Sequence, residues 1–130
     1  MKPFVKWAGG KRQILTKIYD FFDETDDFTK NKYIEPFLGG GAVFFDKAPQ
    51  NAIINDLNSD LINAYNVIKS DKYEELINRL KKHSVKYFED PDGYYYEIRA
   101  WDRHPKWPAN KTPVERAARM IFLNKTCYNG

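Results

Sequence analysis

The chain has 130 residues, of which 42% are hydrophobic and 30% are charged. This balance is typical of a folded globular protein with a modest core and not of a disordered chain. No apolar run reaches the roughly 18 residues of a membrane span, and the scattered cysteine and histidines lack the spacing of metal ligands. We therefore expect neither a membrane nor a metal ion as a partner.

The cysteine content also bears on the setting of the protein. Cys127 is the only cysteine, so it cannot form a disulfide within the chain, which fits a reducing cytoplasm. Nothing in the sequence places His83 or His104 beside it. We expect Cys127 to be structural and not a catalytic thiol.

The net charge of +3 is unevenly distributed. Residues 1–68 hold 8 Lys and Arg against 9 Asp and Glu, a net charge of −1, whereas residues 69–130 hold 13 against 9, a net charge of +4. A basic, aromatic-rich half favours an anionic macromolecule as a partner. A merely solvated surface remains the alternative interpretation of this excess.

Five segments in the first half follow helix or strand periodicity. They are a helix over 11–22, a strand over 33–36, a glycine loop and helix over 37–48, a strand over 51–56 and a helix over 58–70. In the first of them, Leu15, Ile18, Tyr19 and Phe22 show the i, i+3, i+4, i+7 spacing of a helix. Strands that alternate with helices over short connections predict an α/β layer with a parallel sheet.

The pattern changes near residue 70, after which the sequence predicts only helices. These cover 71–83, 92–104 and 112–125, and the first and last begin with capping-box signals, Asp71 with Glu74 and Thr112 with Glu115. The predicted buried stripe of the last helix is Val114, Ala117, Ala118, Ile121 and Phe122. We expect a second, helical domain or insertion from about residue 70.

Three consecutive glycines, Gly39 to Gly41, stand between the first predicted strand and its helix. Glycine permits a positive φ and lets a ligand touch bare backbone, and in a Rossmann-type fold this loop borders the ligand crevice. A plain tight turn is the alternative. The Gly-x4-Gly-Lys-Ser/Thr pattern is absent, so a phosphate-binding P-loop is not expected.

Two further features border the same predicted crevice. Asp56 ends the second strand, where an acidic side chain can accept hydrogen bonds from ribose hydroxyls; capping the next helix is its alternative role. In the segment FVKWAGGK, Trp7 offers a flat π-face beside a flexible glycine pair and Lys11. Taken alone, a tryptophan such as Trp7 is more often a core residue than the wall of a cofactor site.

Four blocks of the sequence follow the order of a known family. They are FVKWAGGKRQ, YIEPFLGGGAVFF, INDLNSDLINAYN and FLNKTCYNG. In these blocks the chain resembles the Dam family of DNA adenine-N6 methyltransferases over nearly its whole length. The resemblance implies an α/β, Rossmann-like, S-adenosylmethionine-dependent methyltransferase fold, here incomplete, with a helical DNA-recognition insertion. Residues 1–69 would belong to the catalytic domain and residues 70–130 to the recognition domain.

The resemblance implies a cofactor site for S-adenosyl-L-methionine. Trp7 and Lys11 match a cofactor-contacting pair, the glycine loop after Phe37 matches the motif that holds the methionine end, and Asp56 matches the acid on the ribose. The complete predicted cofactor-binding set is Trp7, Ala8, Gly9, Gly10, Lys11, Glu35, Pro36, Phe37, Gly39, Gly41, Asp56 and Leu57.

The resemblance likewise implies double-stranded DNA as the partner. Lys6 matches a lysine that reaches the DNA, and Lys125 is a second lysine expected to contact DNA. Tyr128 and Asn129 match the tip of a recognition hairpin that is inserted into the duplex. Wedging side chains into the duplex suits an enzyme that flips its target adenine out of the stack. The family also implies GATC as the common target and a cytoplasmic, DNA-associated protein of a prokaryote or phage. Restriction-modification, a phage function and housekeeping methylation are the alternative roles.

The catalytic motif of the family, Asp-Pro-Pro-Tyr, does not occur in the sequence, so we predict no catalytic residue here. The segment EDPDGYYY over 89–96 is only superficially similar and lies in the helical half. We expect the chain to be a fragment that ends within the recognition hairpin and is inactive or very weak alone. Its two-stranded sheet should be incompletely packed.

Two alternatives come from other functional classes. A non-catalytic DNA- or nucleotide-binding module would also account for the basic second half. A dinucleotide-dependent oxidoreductase is disfavoured, because GGGAVF lacks the last glycine or alanine of the Gly-x-Gly-x-x-Gly pattern.

Overall fold

A computed structural model of the chain describes residues 2–127 and divides it into two compact units, Met1–Leu57 and Asn58–Gly130. The elements in chain order are a 3-10 helix Lys11–Ile14, α1 Leu15–Tyr19, β1 Lys32–Glu35, α2 Ala42–Lys47, β2 Asn51–Ile54, α3 Ser59–Lys69, α4 Tyr73–Glu89, α5 Pro91–Arg99, a 3-10 helix Ala100–Arg103 and α6 Pro113–Thr126. The functional division expected at residue 70 stays a prediction.

The first unit is built on the predicted parallel strand pair. Strand β1 pairs with β2 in a parallel register that sets Ile34 opposite Ile53, and α2 lies between them in the chain. Both isoleucines remain largely exposed, at 61% and 48%. Within residues 2–127 the sheet therefore has one apolar patch without a covering layer, as expected of a two-stranded sheet.

The predicted first helix is shorter than its periodicity indicated. Ile14, at φ −116° and ψ 12°, separates a 3-10 turn from α1, which ends at Tyr19 and not at Phe22. The amides of Phe21 and Phe22 donate to carbonyls three residues back, so the chain tightens into a turn. Phe21 is consequently 88% exposed.

Helix α6 forms the centre of the second unit and packs against α3, α4 and α5. Its predicted capping box is confirmed, since the Glu115 amide donates to Thr112 Oγ1 at 3.2 Å and the Thr112 amide to Glu115 Oε2 at 3.0 Å. The predicted stripe is buried throughout. Its members are Val114, Ala117, Ala118, Ile121 and Phe122. A local cap and a 3.6-residue period were sufficient to predict this helix and its buried side.

The capping box predicted for α4 is wrong. The helix begins at Tyr73 with Lys72 as its N-cap and no side-chain cap bond, and the Ser70 hydroxyl accepts from the Lys72 amide at 3.2 Å. The chain therefore turns one residue later than a cap at Asp71 requires. On α4 itself, Leu76 and His83 are buried, whereas Ile77 is exposed.

His83 occupies a position that the sequence left unexplained. Its ring stacks on Phe122 with centroids 5.2 Å apart, and its Nδ1 lies 2.7 Å from the Tyr94 hydroxyl. Burial, helped by the positive charges of Arg79 and Lys86, lowers the pKa of His83 to about 4. The imidazole is therefore neutral near pH 7 and serves as an aromatic core residue.

Candidate functional site

A pocket in the first unit gathers three separate parts of the chain. Its walls come from the N-terminal loop, the glycine loop after β1 and the end of β2. The lining residues are Trp7, Ala8, Gly9, Gly10, Lys11, Phe37, Leu38, Gly39, Gly40 and Asp56. Eight of these ten belong to the predicted cofactor-binding set, so tertiary folding brings most of that set together.

Four members of the predicted set are not among the lining residues: Glu35, Pro36, Gly41 and Leu57. Glu35 is buried beside Lys11, and Gly41 is the N-cap of α2 at φ 73°. Leu57 is 93% exposed. Glu35 and Gly41 thus shape the pocket from outside its lining.

The glycine loop lies directly against the indole of Trp7. A Cβ placed on Gly39 would be 3.1 Å from Trp7 Cδ1, and one on Gly40 would be 3.2 Å from Trp7 Cβ. Gly39 also has a φ of 54°, in the left-handed region. Both absent side chains therefore let the loop and the indole pack closely, and Trp7 is a wall of the pocket.

Asp56, two residues after the end of β2, is hydrogen-bonded to the glycine loop that follows β1. Its Oδ2 accepts a hydrogen bond from the Gly39 amide at 2.8 Å. The alternative role as helix cap is filled by Asn58, whose Oδ1 accepts from the Asp60 and Leu61 amides at the start of α3. The Asp56 carboxylate consequently holds the glycine loop against the end of β2.

A buried acid fixes the position of Lys11. The Lys11 ammonium donates to Glu35 Oε1 at 3.0 Å and to the Phe37 carbonyl oxygen. The Tyr33 hydroxyl donates to the other oxygen, Glu35 Oε2, at 2.6 Å. Burial and the neighbouring carboxylate raise the pKa of Tyr33, so the hydroxyl remains protonated as the donor.

Sequence reasoning missed Tyr33, although a signal for it was present. Tyr33 and Glu35 are two residues apart on β1, so their side chains lie on the same side of the strand. The alternation of strand residues could thus have paired the tyrosine with the acid. The partner Lys11 is 24 residues earlier and could not be found this way.

The predicted DNA-binding residues are distributed over both units. Lys6 is exposed in the N-terminal loop of the first unit, and Lys125 is exposed in the last turn of α6 in the second. Tyr128 and Asn129 lie outside the described residues, so the predicted hairpin tip stays a prediction. Helix α6 extends to Thr126, one residue beyond its expected end.

Two weaker catalytic candidates have structural explanations. In the segment over 89–96, the Asp90 side chain caps α5 by accepting from the Gly93 amide at 3.1 Å, and Pro91 opens that helix. Cys127 Sγ contacts the Asn124 carbonyl oxygen at the end of α6. Helix capping therefore accounts for the Asp-Pro pair.

Among residues 2–127 no group of three or more side chains is arranged to bind a metal ion. No helix in that part of the chain is both long enough and apolar enough to cross a membrane.

A strand, a glycine loop, a helix and a parallel strand followed by an acid make up an α/β unit with a pocket at the ends of its strands. The particular family follows from comparison with known proteins. Residues 7–130 match the D12 class N6 adenine-specific DNA methyltransferases, and the chain belongs to that family. The family expected from the four sequence blocks is thereby confirmed.

Individual relatives agree with this assignment. The chain is 43% identical to the Type II methyltransferase M1.LlaDCHI of Lactococcus lactis subsp. cremoris and 42% identical to the Type II methyltransferase M.MjaIII of Methanocaldococcus jannaschii, over its full length in both cases. It is 36% identical, over 99% of its length, to the DNA adenine methylase of Haemophilus influenzae. These alignments cover 43%, 47% and 42% of the relatives, so the chain spans less than half of their length.

Proposed function

We propose that this chain carries the S-adenosylmethionine pocket and part of the DNA-binding surface of a DNA adenine-N6 methyltransferase, within a Rossmann-like catalytic domain. The observation that carries the proposal is the convergence of Trp7, Lys11, Gly39 and Asp56 on one pocket. Family membership supplies the reaction class. The relatives' names supply adenine methylation in DNA as the activity.

The pocket residues fit this cofactor in their chemistry. Gly39 and Gly40 carry no side chain, so the loop backbone beside Trp7 is bare and a ligand can approach it closely. The Lys11 ammonium suits the methionine carboxylate, and the Asp56 carboxylate suits ribose hydroxyls. The Trp7 π-face suits the adenine ring or the sulfonium.

The bound cofactor would supply an electrophilic methyl group for direct displacement. In this proposal the pocket residues bind and orient the cofactor, and none of them is assigned a role at the adenine amino group. Glu35 and Tyr33 hold the Lys11 ammonium in place, and Asp56 holds the glycine loop. Such preorganised positioning is a principal source of rate in group transfer.

On the DNA side, we infer that Lys6 and Lys125 contact phosphates and that Tyr128 and Asn129 enter the duplex at its target, with GATC as the site. What supports this is family membership and the exposure of both lysines. Phosphate contacts position a protein on DNA, while wedged side chains replace an extruded base.

Isothermal titration of S-adenosylmethionine into the 130-residue chain tests the cofactor proposal. We expect saturable binding by the wild type and at least about tenfold weaker binding by Asp56→Ala, since hydrogen bonds to a carboxylate contribute about 1.5–3 kcal/mol each. Asp20→Ala, which removes an exposed acid after α1, should bind like the wild type. Asp56→Asn keeps an acceptor for the Gly39 amide, so it separates loop fixation from ribose binding.

The outcomes discriminate between the functional classes. Saturable binding that Asp56→Ala weakens and Asp20→Ala leaves intact supports the methyltransferase proposal. Equal binding by all variants would contradict the role of Asp56. Absence of cofactor binding by a folded wild type, with duplex binding retained, would favour the non-catalytic DNA-binding module.

A further inference from the structure

The second unit presents a basic, aromatic segment that lies outside the predicted DNA-binding set. Residues 99–111, hereafter the 99–111 segment, run from the last residue of α5 to the residue before the N-cap of α6. They contain four cationic residues, two tryptophans and one acid. The helix predicted over 92–104 extends into this segment, but in the structure α5 ends at Arg99 and a 3-10 helix, Ala100–Arg103, follows it.

A buried arginine from α6 anchors the start of this segment. Arg119 is only 7% exposed, and its Nε donates to the Ile98 carbonyl oxygen at 3.0 Å while its Nη2 donates to that of Arg99 at 2.7 Å. The same Nη2 lies 2.9 Å from Asp102 Oδ2. The rigid guanidinium fork thus fixes Ile98, just before the segment, and two positions within it, Arg99 and Asp102.

Aromatic stacking and internal hydrogen bonds order the rest of the segment. The Trp107 ring lies 4.9 Å from the Arg119 guanidinium carbon, and the Lys111 ammonium lies 3.7 Å above the Trp101 ring. The amides of Trp107 and Lys111 donate to carbonyls three residues back. An ordered segment loses less conformational entropy when it binds a ligand than a flexible loop would.

Three of the four cations of the segment face solvent. Asp102, its only acid, is paired with Arg119. Arg99, Arg103 and Lys106 are exposed and make no ion pair with any residue in 2–127. The segment therefore offers three unneutralised cations on a backbone that a buried side chain holds in place.

We propose that the 99–111 segment binds the phosphate backbone of duplex DNA, with Arg103 and Lys106 as phosphate contacts and Arg119 as the positioning residue. The inference rests on the proposed function in taking duplex DNA as the partner. Exposed cations on an anchored backbone suit a regular array of phosphates, and such contacts set the register and orientation of the protein without reading bases. Arginine additionally matches phosphate geometry with two parallel hydrogen bonds.

The test is the salt dependence of binding to a fluorescein-labelled 20-base-pair DNA duplex, measured by anisotropy with the full chain and no cofactor. Each lost phosphate contact lowers the magnitude of the slope of log K against log salt by about 0.9. We expect Arg103→Ala/Lys106→Ala to lower it by about 1.8. Lys81→Ala/Lys82→Ala, which removes two exposed lysines of α4 in the same unit, should leave the slope unchanged.

A third variant addresses the positioning role. Arg119→Lys keeps the charge but loses the fork, so we expect weaker duplex binding with a circular dichroism spectrum like that of the wild type. Arg103→Ala/Lys106→Ala alters only exposed side chains, so it tests the phosphate contacts even if Arg119→Lys fails to fold.

Three results would overturn the proposal. They are an unchanged slope for Arg103→Ala/Lys106→Ala, an equal loss in the α4 control, and absence of duplex binding by the wild type at low salt. Tighter binding of an equal-length RNA duplex would overturn the choice of DNA. If the wild type does not bind S-adenosylmethionine but Arg103→Ala/Lys106→Ala still lowers the slope, the methyltransferase proposal fails and the proposed phosphate contacts remain.

Discussion

The ion pair between Lys11 and Glu35 allows a quantitative test of how the pocket is held. Glu35 is 6% exposed, and its carboxylate accepts from Lys11 and from the Tyr33 hydroxyl. Breaking a fully buried ion pair costs about 3–5 kcal/mol, whereas an exposed pair contributes less than about 1 kcal/mol. Because the Lys11 side chain is 32% exposed, we expect Lys11→Met to lower the free energy of unfolding by about 1–3 kcal/mol.

A double-mutant cycle isolates the pair itself. Urea unfolding, followed by far-ultraviolet circular dichroism, would be measured for Lys11→Met, Glu35→Gln and the combined variant. We expect a coupling energy of about 1 kcal/mol or more, since residues in direct contact are not additive. Lys17→Met, which removes an exposed lysine on α1, should change the unfolding free energy by less than about 0.5 kcal/mol.

Additive effects of the two substitutions, within about 0.3 kcal/mol, would refute the argument that the buried acid holds the lysine. The same three variants also bear on the cofactor. If Lys11 contacts the methionine carboxylate, both single variants should bind S-adenosylmethionine more weakly, the first through lost contact and the second through lost positioning. Wild-type affinity in Glu35→Gln would leave the pair with a purely structural role.

Three other changes have expected outcomes. Gly39→Ala should destabilise the chain by about 1–2 kcal/mol, and by more than Gly9→Ala. Both glycines have a positive φ, but only a Cβ on Gly39 would meet a neighbouring side chain. Chemical denaturation of the two variants tests this difference. Thr112→Ala should cost about 1 kcal/mol in thermal unfolding, whereas Asp71→Ala should cost almost nothing, since only the former residue caps a helix. The pKa of His83 is about 4 in the folded chain against 6.5 for an exposed histidine. As the pH falls, the unfolded chain is therefore protonated at His83 before the folded chain. The contribution of neutral His83 to stability should be full above pH 6.5 and decrease towards pH 4. His83→Phe should flatten that part of the pH profile, and an unchanged profile would contradict this cause.

Local patterns were sufficient for a large part of the fold. The parallel strand pair and α6 with its capping box followed from periodicity, glycine placement and cap residues within four positions of one another. The same kind of inference was wrong for the start of α4, because a serine one position earlier already turns the chain. It was also wrong for the end of α1, where a 3-10 turn replaces the last helical turn.

The candidate pocket was predictable in its members and not in its internal contacts. Glycines after a strand and an acid after the next strand have a known spatial meaning in α/β units, so Gly39 and Asp56 could be named together. Their direct hydrogen bond spans 17 residues, and no spacing rule gives its partners. The roles of Glu35 and Tyr33 behind Lys11 depend on which side of β1 faces the N-terminal loop, which is a tertiary property.

The sequence by itself determined the family, the order of elements and most of the residues that line the pocket, because these depend on motifs and on short-range spacing. Tertiary structure alone decided that Trp7 packs on the glycine loop, that His83 joins the aromatic core and that Arg119 anchors the 99–111 segment. Each of these joins residues more than ten positions apart. Such contacts depend on how whole elements pack, and the periodicity of any one element carries no information about its partner.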